Sequence, residues 1–126
     1  MPGRVLGIAC GLLVIAASAG LAHAAGDAQA GEAVFKKSCA VCHTMEEGKN
    51  KVGPSLHGVV GQHFAALSDY TYSDALKKAD KTWDDRTLDA YLANPRALVP
   101  GTKMIFLGLK SPEDRQNVIA FLQSQK

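Results

Sequence analysis

A chain of 126 residues, 47% hydrophobic and only 6% aromatic, makes one domain at most, and its small core leaves a marginal balance of buried to exposed surface. A formal net charge of +2 argues against nucleic acid as the partner, which calls for a strong basic excess.

Arg4 precedes an apolar run from Val5 to Leu21, and Ala22 and Ala24 form an A-x-A cleavage pattern. Residues 1–25 therefore read as a signal peptide, cut after Ala24 or Ala25, which exports residues 26–126 to the periplasm. An uncleaved membrane anchor is the alternative, since the run approaches the roughly 18 apolar residues at which a spanning helix comes into question. Its Gly, Ala and Ser content makes it only moderately hydrophobic. Removing the leader takes Arg4 and Cys10 with it, leaving a formal charge of +1 and two cysteines, Cys39 and Cys42, too few for a disulfide framework.

Asp27 can cap a helix that runs to about Ser38, with Ala30, Val34 and Phe35 on one face. From Thr44 to Tyr72 periodicity is poor and Gly48, Gly53, Gly58 and Gly61 interrupt the chain, so this stretch reads as loop with tight turns. A loop of that length calls for a functional reason. A short helix follows over Ser73 to Ala79, and another after Trp83, where Leu88, Tyr91 and Leu92 recur at helical spacing until Asn94-Pro95 stops them. Pro100-Gly101 turns the chain. Ser111, followed by Pro112, Glu113 and Asp114, opens a last helix to the C-terminus, with Val118, Ile119, Phe121 and Leu122 as its apolar stripe. No alternating strand pattern intervenes, so the fold class is all-α with long loops.

Cys39-Ala40-Val41-Cys42-His43 carries the chemistry, because C-x-x-C-H is the spacing of c-type haem attachment. Two thiols three positions apart can bond the two vinyl-derived carbons on one porphyrin edge, and the next residue can offer its imidazole to the iron. A bound haem would also enlarge the small apolar interior. A thioredoxin-like pair shares C-x-x-C but belongs near a βαβ pattern, and a zinc site needs two further ligands where only His57 and His63 remain.

The second axial position decides between carrying electrons and activating small molecules. Met1 leaves with the leader and Met45 is too close to His43 to reach around the ring. Met104 remains, between Pro100-Gly101 and the last helix, while His57 and His63 are competing ligands that would give a bis-histidine haem. His57 reads otherwise as a loop histidine hydrogen-bonded to backbone, and His63 as solvent-facing.

With these residues in view, the chain resembles the class I cytochromes c, mitochondrial and bacterial periplasmic, over essentially all of 26–125. Gly31-Glu32-Ala33-Val34-Phe35, then the C-x-x-C-H run with Thr44, then Val52-Gly53-Pro54-Ser55-Leu56-His57-Gly58, are similar to the family's first helix and haem-crossing loop. Tyr70 to Trp83, Tyr91-Leu92-Ala93-Asn94-Pro95 and Pro100-Gly101-Thr102-Lys103-Met104-Ile105-Phe106 complete the order. The resemblance implies a small cytochrome c fold around one covalent haem c. It implies that Met104 is the sixth ligand, that the Pro54 carbonyl accepts the ring N–H of His43, that Tyr72 and Trp83 hydrogen-bond a buried propionate, and that Tyr91 lies beside the Met104 sulfur. It implies that Gly31 and Phe35 meet Val118 and Phe121 where the first and last helices cross. Two positions depart from the family: Gln62 stands where an arginine is common and Leu76 where an asparagine is common. The function implied is that of a monomeric soluble one-electron carrier, not an enzyme. Its partners would be a cytochrome bc complex, an oxidase, a reaction centre or a dehydrogenase, approached through a haem edge ringed by Lys37, Lys51, Arg96 and Lys103.

Overall fold

The structure, a computed structural model, describes Gly3 and residues 26–126; the signal-peptide reading of 1–25 lies outside the described residues. The first helix, α1 (Ala28–Ser38), starts where Asp27 caps it, its carboxylate accepting from the N–H groups of Gln29 and Ala30 at 2.8 and 3.0 Å. Four further helices follow: α2 (Asp74–Ala79), α3 (Asp85–Ala93), α4 (Pro95–Leu98) and α5 (Pro112–Ser124). Each has an oxygen-bearing side chain at its start, with Ser73, Asp84, Asn94 and Ser111 accepting from Leu76, Thr87, Ala97 and Asp114. The all-α expectation holds among the described residues, where strand pairing is limited to one isolated bridge between His63 and Thr82.

Two boundaries differ from the sequence reading. Asn94-Pro95 ends α3 but also begins α4, because Asn94 can cap and Pro95 supplies a first helical residue with no N–H to satisfy. The last helix stops at Ser124, just short of the terminus.

The frame that holds the site is the crossing of α1 and α5. Gly31 is buried there, and a Cβ on it would stand 1.9 Å from the Asn117 carbonyl oxygen and 2.9 Å from the Phe121 Cβ, so only glycine allows this approach. Phe35 and Phe121 pack with ring centroids 5.5 Å apart, and Val118 and Leu122 complete the contact at 1% and 4% exposure. At the start of α1 the Asp27 N–H donates to the Asn117 side-chain oxygen at 2.8 Å, fixing the register of the crossing. Among the described residues no helix is long and apolar enough to cross a membrane.

Candidate haem-attachment site

The end of α1 shapes the attachment segment. The N–H groups of Cys39 and Ala40 both donate to the Phe35 carbonyl, and those of Cys42 and His43 both donate to the Cys39 carbonyl, at 2.8–3.0 Å. This tight turn brings Cys39, Cys42 and His43 to the wall of one cavity of about 460 Å³, within the ~300–1,000 Å³ usual for cofactor pockets. Both cysteines are free and half-buried. Burial, and then the neighbouring Cys42, push the Cys39 thiol up to about 11. A disulfide-exchange pair needs a thiolate near neutral pH, so this environment disfavours that chemistry. Nor do any three His, Cys, Asp or Glu among the described residues cluster to hold a metal ion, as a structural zinc site would require.

His43 is buried, and its Nδ1 lies 2.7 Å from the Pro54 carbonyl oxygen. A carbonyl only accepts, so Nδ1 carries the proton and Nε2 keeps its lone pair. Burial lowers the pKa of His43, the Pro54 hydrogen bond opposes this, and the Lys51 charge lowers it further. The ring is thereby held neutral, oriented and able to ligate. Its lowered pKa has a definite consequence for pH dependence. Because the unfolded imidazole binds its proton near 6.5 and the folded one only at lower pH, the stability contributed is complete above 6.5 and is lost as pH falls through the folded value. On acidification of the haem-loaded protein, where iron holding Nε2 opposes protonation further, low-spin absorption should persist down to pH 6.5 and be lost only below it; loss on acidification already complete at 6.5 would contradict the neutral, buried assignment.

Pro54 belongs to the 44–72 loop, which is folded back tightly on the attachment turn. The Gly53 N–H donates to the Cys42 carbonyl at 2.8 Å, and the Leu56 N–H to Thr44 at 2.9 Å. Gly53 itself is buried against the imidazole: a Cβ there would meet the His43 Cε1 at 2.3 Å.

Met104, half-buried, borders the same cavity, as do Tyr72, Trp83 and Tyr91. The Tyr91 hydroxyl is hydrogen-bonded to the Thr102 hydroxyl at 2.9 Å, two residues before Met104. The Tyr72 hydroxyl accepts from the Leu67 N–H at 3.2 Å, leaving its own proton free to donate. Trp83 is packed between Phe64 and Tyr91 and borders the cavity, and among the described residues no buried side-chain nitrogen or oxygen lacks a partner.

The histidines named as competing ligands are placed differently. His57 does not border the cavity; its main-chain N–H donates to Ser55 Oγ at 3.3 Å. The ring-to-backbone hydrogen bond expected for it is absent among the described residues; the Ser55 hydroxyl that accepts from its main chain donates in turn to the Glu46 carbonyl at 2.7 Å. His63 borders the cavity, but its side chain is 57% exposed, with Nε2 3.0 Å from Asp80 Oδ1 and Nδ1 3.3 Å from the Phe64 carbonyl. Gln62 and Leu76, the two departures from the family pattern, both border the cavity. Lys51 and Lys103, expected around the haem edge, lie at the rim, but the sequence does not show what holds them there. Tyr70 donates to the Val52 carbonyl at 2.8 Å, the Lys103 ammonium lies 4.5 Å from the centre of the Tyr70 ring and donates to the Thr71 carbonyl, and Lys51 donates to the Ala40 carbonyl at 2.6 Å.

These residues fit a haem: two free thiols beside a neutral imidazole with a free lone pair, and an apolar cavity of suitable size bordered by the Trp83 indole. An all-α domain that closes such a cavity over a C-x-x-C-H turn is the architecture of a c-type haem protein. The chain belongs to the cytochrome c family, whose model, described as Cytochrome c, matches residues 28–126. It is 52% identical over 105 residues to cytochrome c2 of Rhodomicrobium vannielii, covering 82% of this chain and 83% of that one. It is 48% identical over 101 residues to cytochrome c of Arabidopsis thaliana, covering 79% and 90%. Among solved structures, cytochrome cH from Methylobacterium extorquens superposes with a TM-score of 0.74 at 47% identity, covering 79% of this chain and 99% of that one. Membership brings with it a covalently bound c-type haem and a role in electron transport.

Proposed function

We propose that residues 26–126, released from their signal peptide into the periplasm, act as a monomeric soluble one-electron carrier and not as an enzyme. One haem c is joined through Cys39 and Cys42 and ligated by His43 and Met104. The observation that carries this reading is that His43, with Nε2 unprotonated, and Met104 border one cavity, so that both would ligate a haem iron held there. When bound, the haem supplies an iron that alternates between Fe(III) and Fe(II). The protein's part is to hold the surroundings still. The Pro54 carbonyl fixes the His43 ring and raises its basicity, while the methionine sulfur favours Fe(II) and raises the potential. Trp83, and Tyr72 with the hydroxyl proton that the Leu67 contact leaves free, would donate to a haem propionate. Tyr91, through Thr102, steadies the Met104 segment.

Covalent attachment is tested by acid–acetone extraction of the denatured mature protein. The haem should stay with the polypeptide, and Cys39→Ala with Cys42→Ala should release it; recovery of all the haem in the solvent from the unaltered chain would end the proposal.

Docking falls at the cavity mouth, where Lys51 and Lys103 hold their charges against main-chain carbonyls and Val41, Val52 and Ile105 are 78%, 77% and 92% exposed. Lys37 and Arg96, both exposed, extend this basic ring in the family arrangement. The partner is an acidic patch of a membrane-bound oxidase, reaction centre or cytochrome bc complex, or of a dehydrogenase. Transient redox complexes bury little surface, so charge sets their orientation and is screened within ~10 Å at 0.1 M salt. The bimolecular electron-transfer rate should fall as salt rises, and Lys103→Glu or Lys51→Glu should slow it several-fold more than Lys126→Glu. Equal rates for the three variants across ionic strengths would show that the rim does not steer association.

A further inference from the structure

Between Val99, buried at 2% exposure, and Ser111, the segment that carries Met104 rests on the core only through the half-buried Met104 and Leu109, with Ile105 and Leu107 92% and 91% exposed. Its hold therefore depends on its ends. At the upstream end the Thr102 N–H donates to the Val99 carbonyl at 3.0 Å, across a turn in which Gly101 has a φ of 91°, and the Tyr91 hydroxyl meets Thr102. At the downstream end the Leu109 N–H donates to the Leu92 carbonyl at 2.7 Å, beside Gly108, whose missing Cβ would stand 2.1 Å from the Ala93 carbonyl oxygen.

Arg115 reaches this downstream end from α5. Its side chain is only 14% exposed; Nε donates to Asp89 Oδ1 on α3 at 2.7 Å, and Nη1 donates to the Leu109 and Lys110 carbonyls at 2.8 and 3.3 Å. One planar guanidinium thus ties α3, α5 and the Met104 segment together, with a fork that a single-point ammonium cannot reproduce. We propose that Arg115 is a positioning residue for Met104: by clamping the Leu109 and Lys110 carbonyls it keeps the segment closed and the thioether at the cavity wall. The proposal rests on the reading of Met104 as the axial sulfur ligand.

The test uses the haem-loaded protein and three variants. Arg115→Met removes the donors and keeps the aliphatic stem. Gln123→Ala removes a second bond between the same two helices, Gln123 Nε2 to Asp85 Oδ1 at 2.6 Å, without touching the segment. Met104→Ala is the reference for loss of the ligand. Hydrogen bonds to charged groups are strong enough that Arg115→Met should speed exchange of the Leu109 amide roughly tenfold to a hundredfold. The same variant should lower the reduction potential, and its charge-transfer band at the red end of the oxidised spectrum should be lost at a lower denaturant concentration than its helical signal. Gln123→Ala should leave all three readouts as they are. Unchanged Leu109 exchange and an unchanged band in Arg115→Met, or equal effects from Gln123→Ala, would overturn the clamp. A band that survives in Met104→Ala would overturn the ligation reading, and the proposal with it, whatever the exchange rates.

Discussion

Met104→Ala is expected to abolish the weak red-end charge-transfer band of the oxidised protein and to lower the reduction potential by on the order of 0.1–0.3 V, part of the ~0.8 V span that axial ligands command. Peroxidase activity should rise, because a coordination position opens in a cavity bordered by apolar walls that small molecules can enter. The effect should be local. Met104 is only half-buried, and its segment is anchored by Thr102 on one side and Leu109 on the other, so the truncation leaves those hydrogen bonds in place. Thermal stability should fall by less than the ~2–5 kcal/mol of a fully buried methionine truncation. If band and potential survive, another residue ligates, and the candidates are poor: His57 lies off the cavity, and the His63 side chain is 57% exposed and faces Asp80. Spectroscopy, voltammetry and a peroxidase assay on one preparation decide the matter.

The parts of this structure that sequence made legible are those governed by local chemistry. The caps at Asp27 and Ser111 begin α1 and α5 where an oxygen-bearing side chain meets an apolar stripe, and Asn94-Pro95 ends α3 because proline cannot follow in a helix. The C-x-x-C-H run is legible for the same reason, since its spacing alone places three groups on one turn. What stayed hidden depends on partners distant in the chain. Arg115 reads as one more charge on a polar helix face until the fold brings Asp89 and the Leu109 carbonyl beside it. Lys103 is legible as a haem-edge cation, but its seat over Tyr70 and against Thr71 is not. The start of α4 is hidden for a subtler reason: Asn94-Pro95 is a stop and a start signal at once, and the start needs only Asn94 to cap Ala97. Gly31 was read correctly as a close-approach residue, though the structure places the Asn117 backbone, rather than Val118, nearest to it.

Gly53→Ala is expected to be the most damaging single-methyl change at the site. The glycine is needed for space and not for backbone freedom: it is not among the residues with positive φ, and what excludes a side chain is the His43 imidazole, whose Cε1, Nδ1 and Nε2 would lie 2.3, 2.7 and 2.9 Å from an added Cβ. The ring is held by the attachment turn and by the Pro54 carbonyl one residue away, so the 50–55 loop must lift and stretch the Nδ1–H bond to Pro54. Overpacking of this kind costs about 1–3 kcal/mol, occasionally more, and loss of a hydrogen bond adds about 1 kcal/mol. For a domain of this size each kcal/mol lowers Tm by roughly 4–8 °C. A second consequence separates the site from simple instability. Weakening the bond from Nδ1–H makes the imidazole a poorer donor, which disfavours Fe(III), so the potential should rise even as stability falls. Gly48→Ala is the comparison: Gly48 has a φ of 73° and open space around its Cβ, so it should cost only about 1 kcal/mol and leave the potential alone. Thermal melts and voltammetry of the two variants should therefore diverge in both quantities; a Gly53→Ala protein as stable as Gly48→Ala, with an unshifted potential, would mean that the loop does not bear on the ring in the haem-loaded protein.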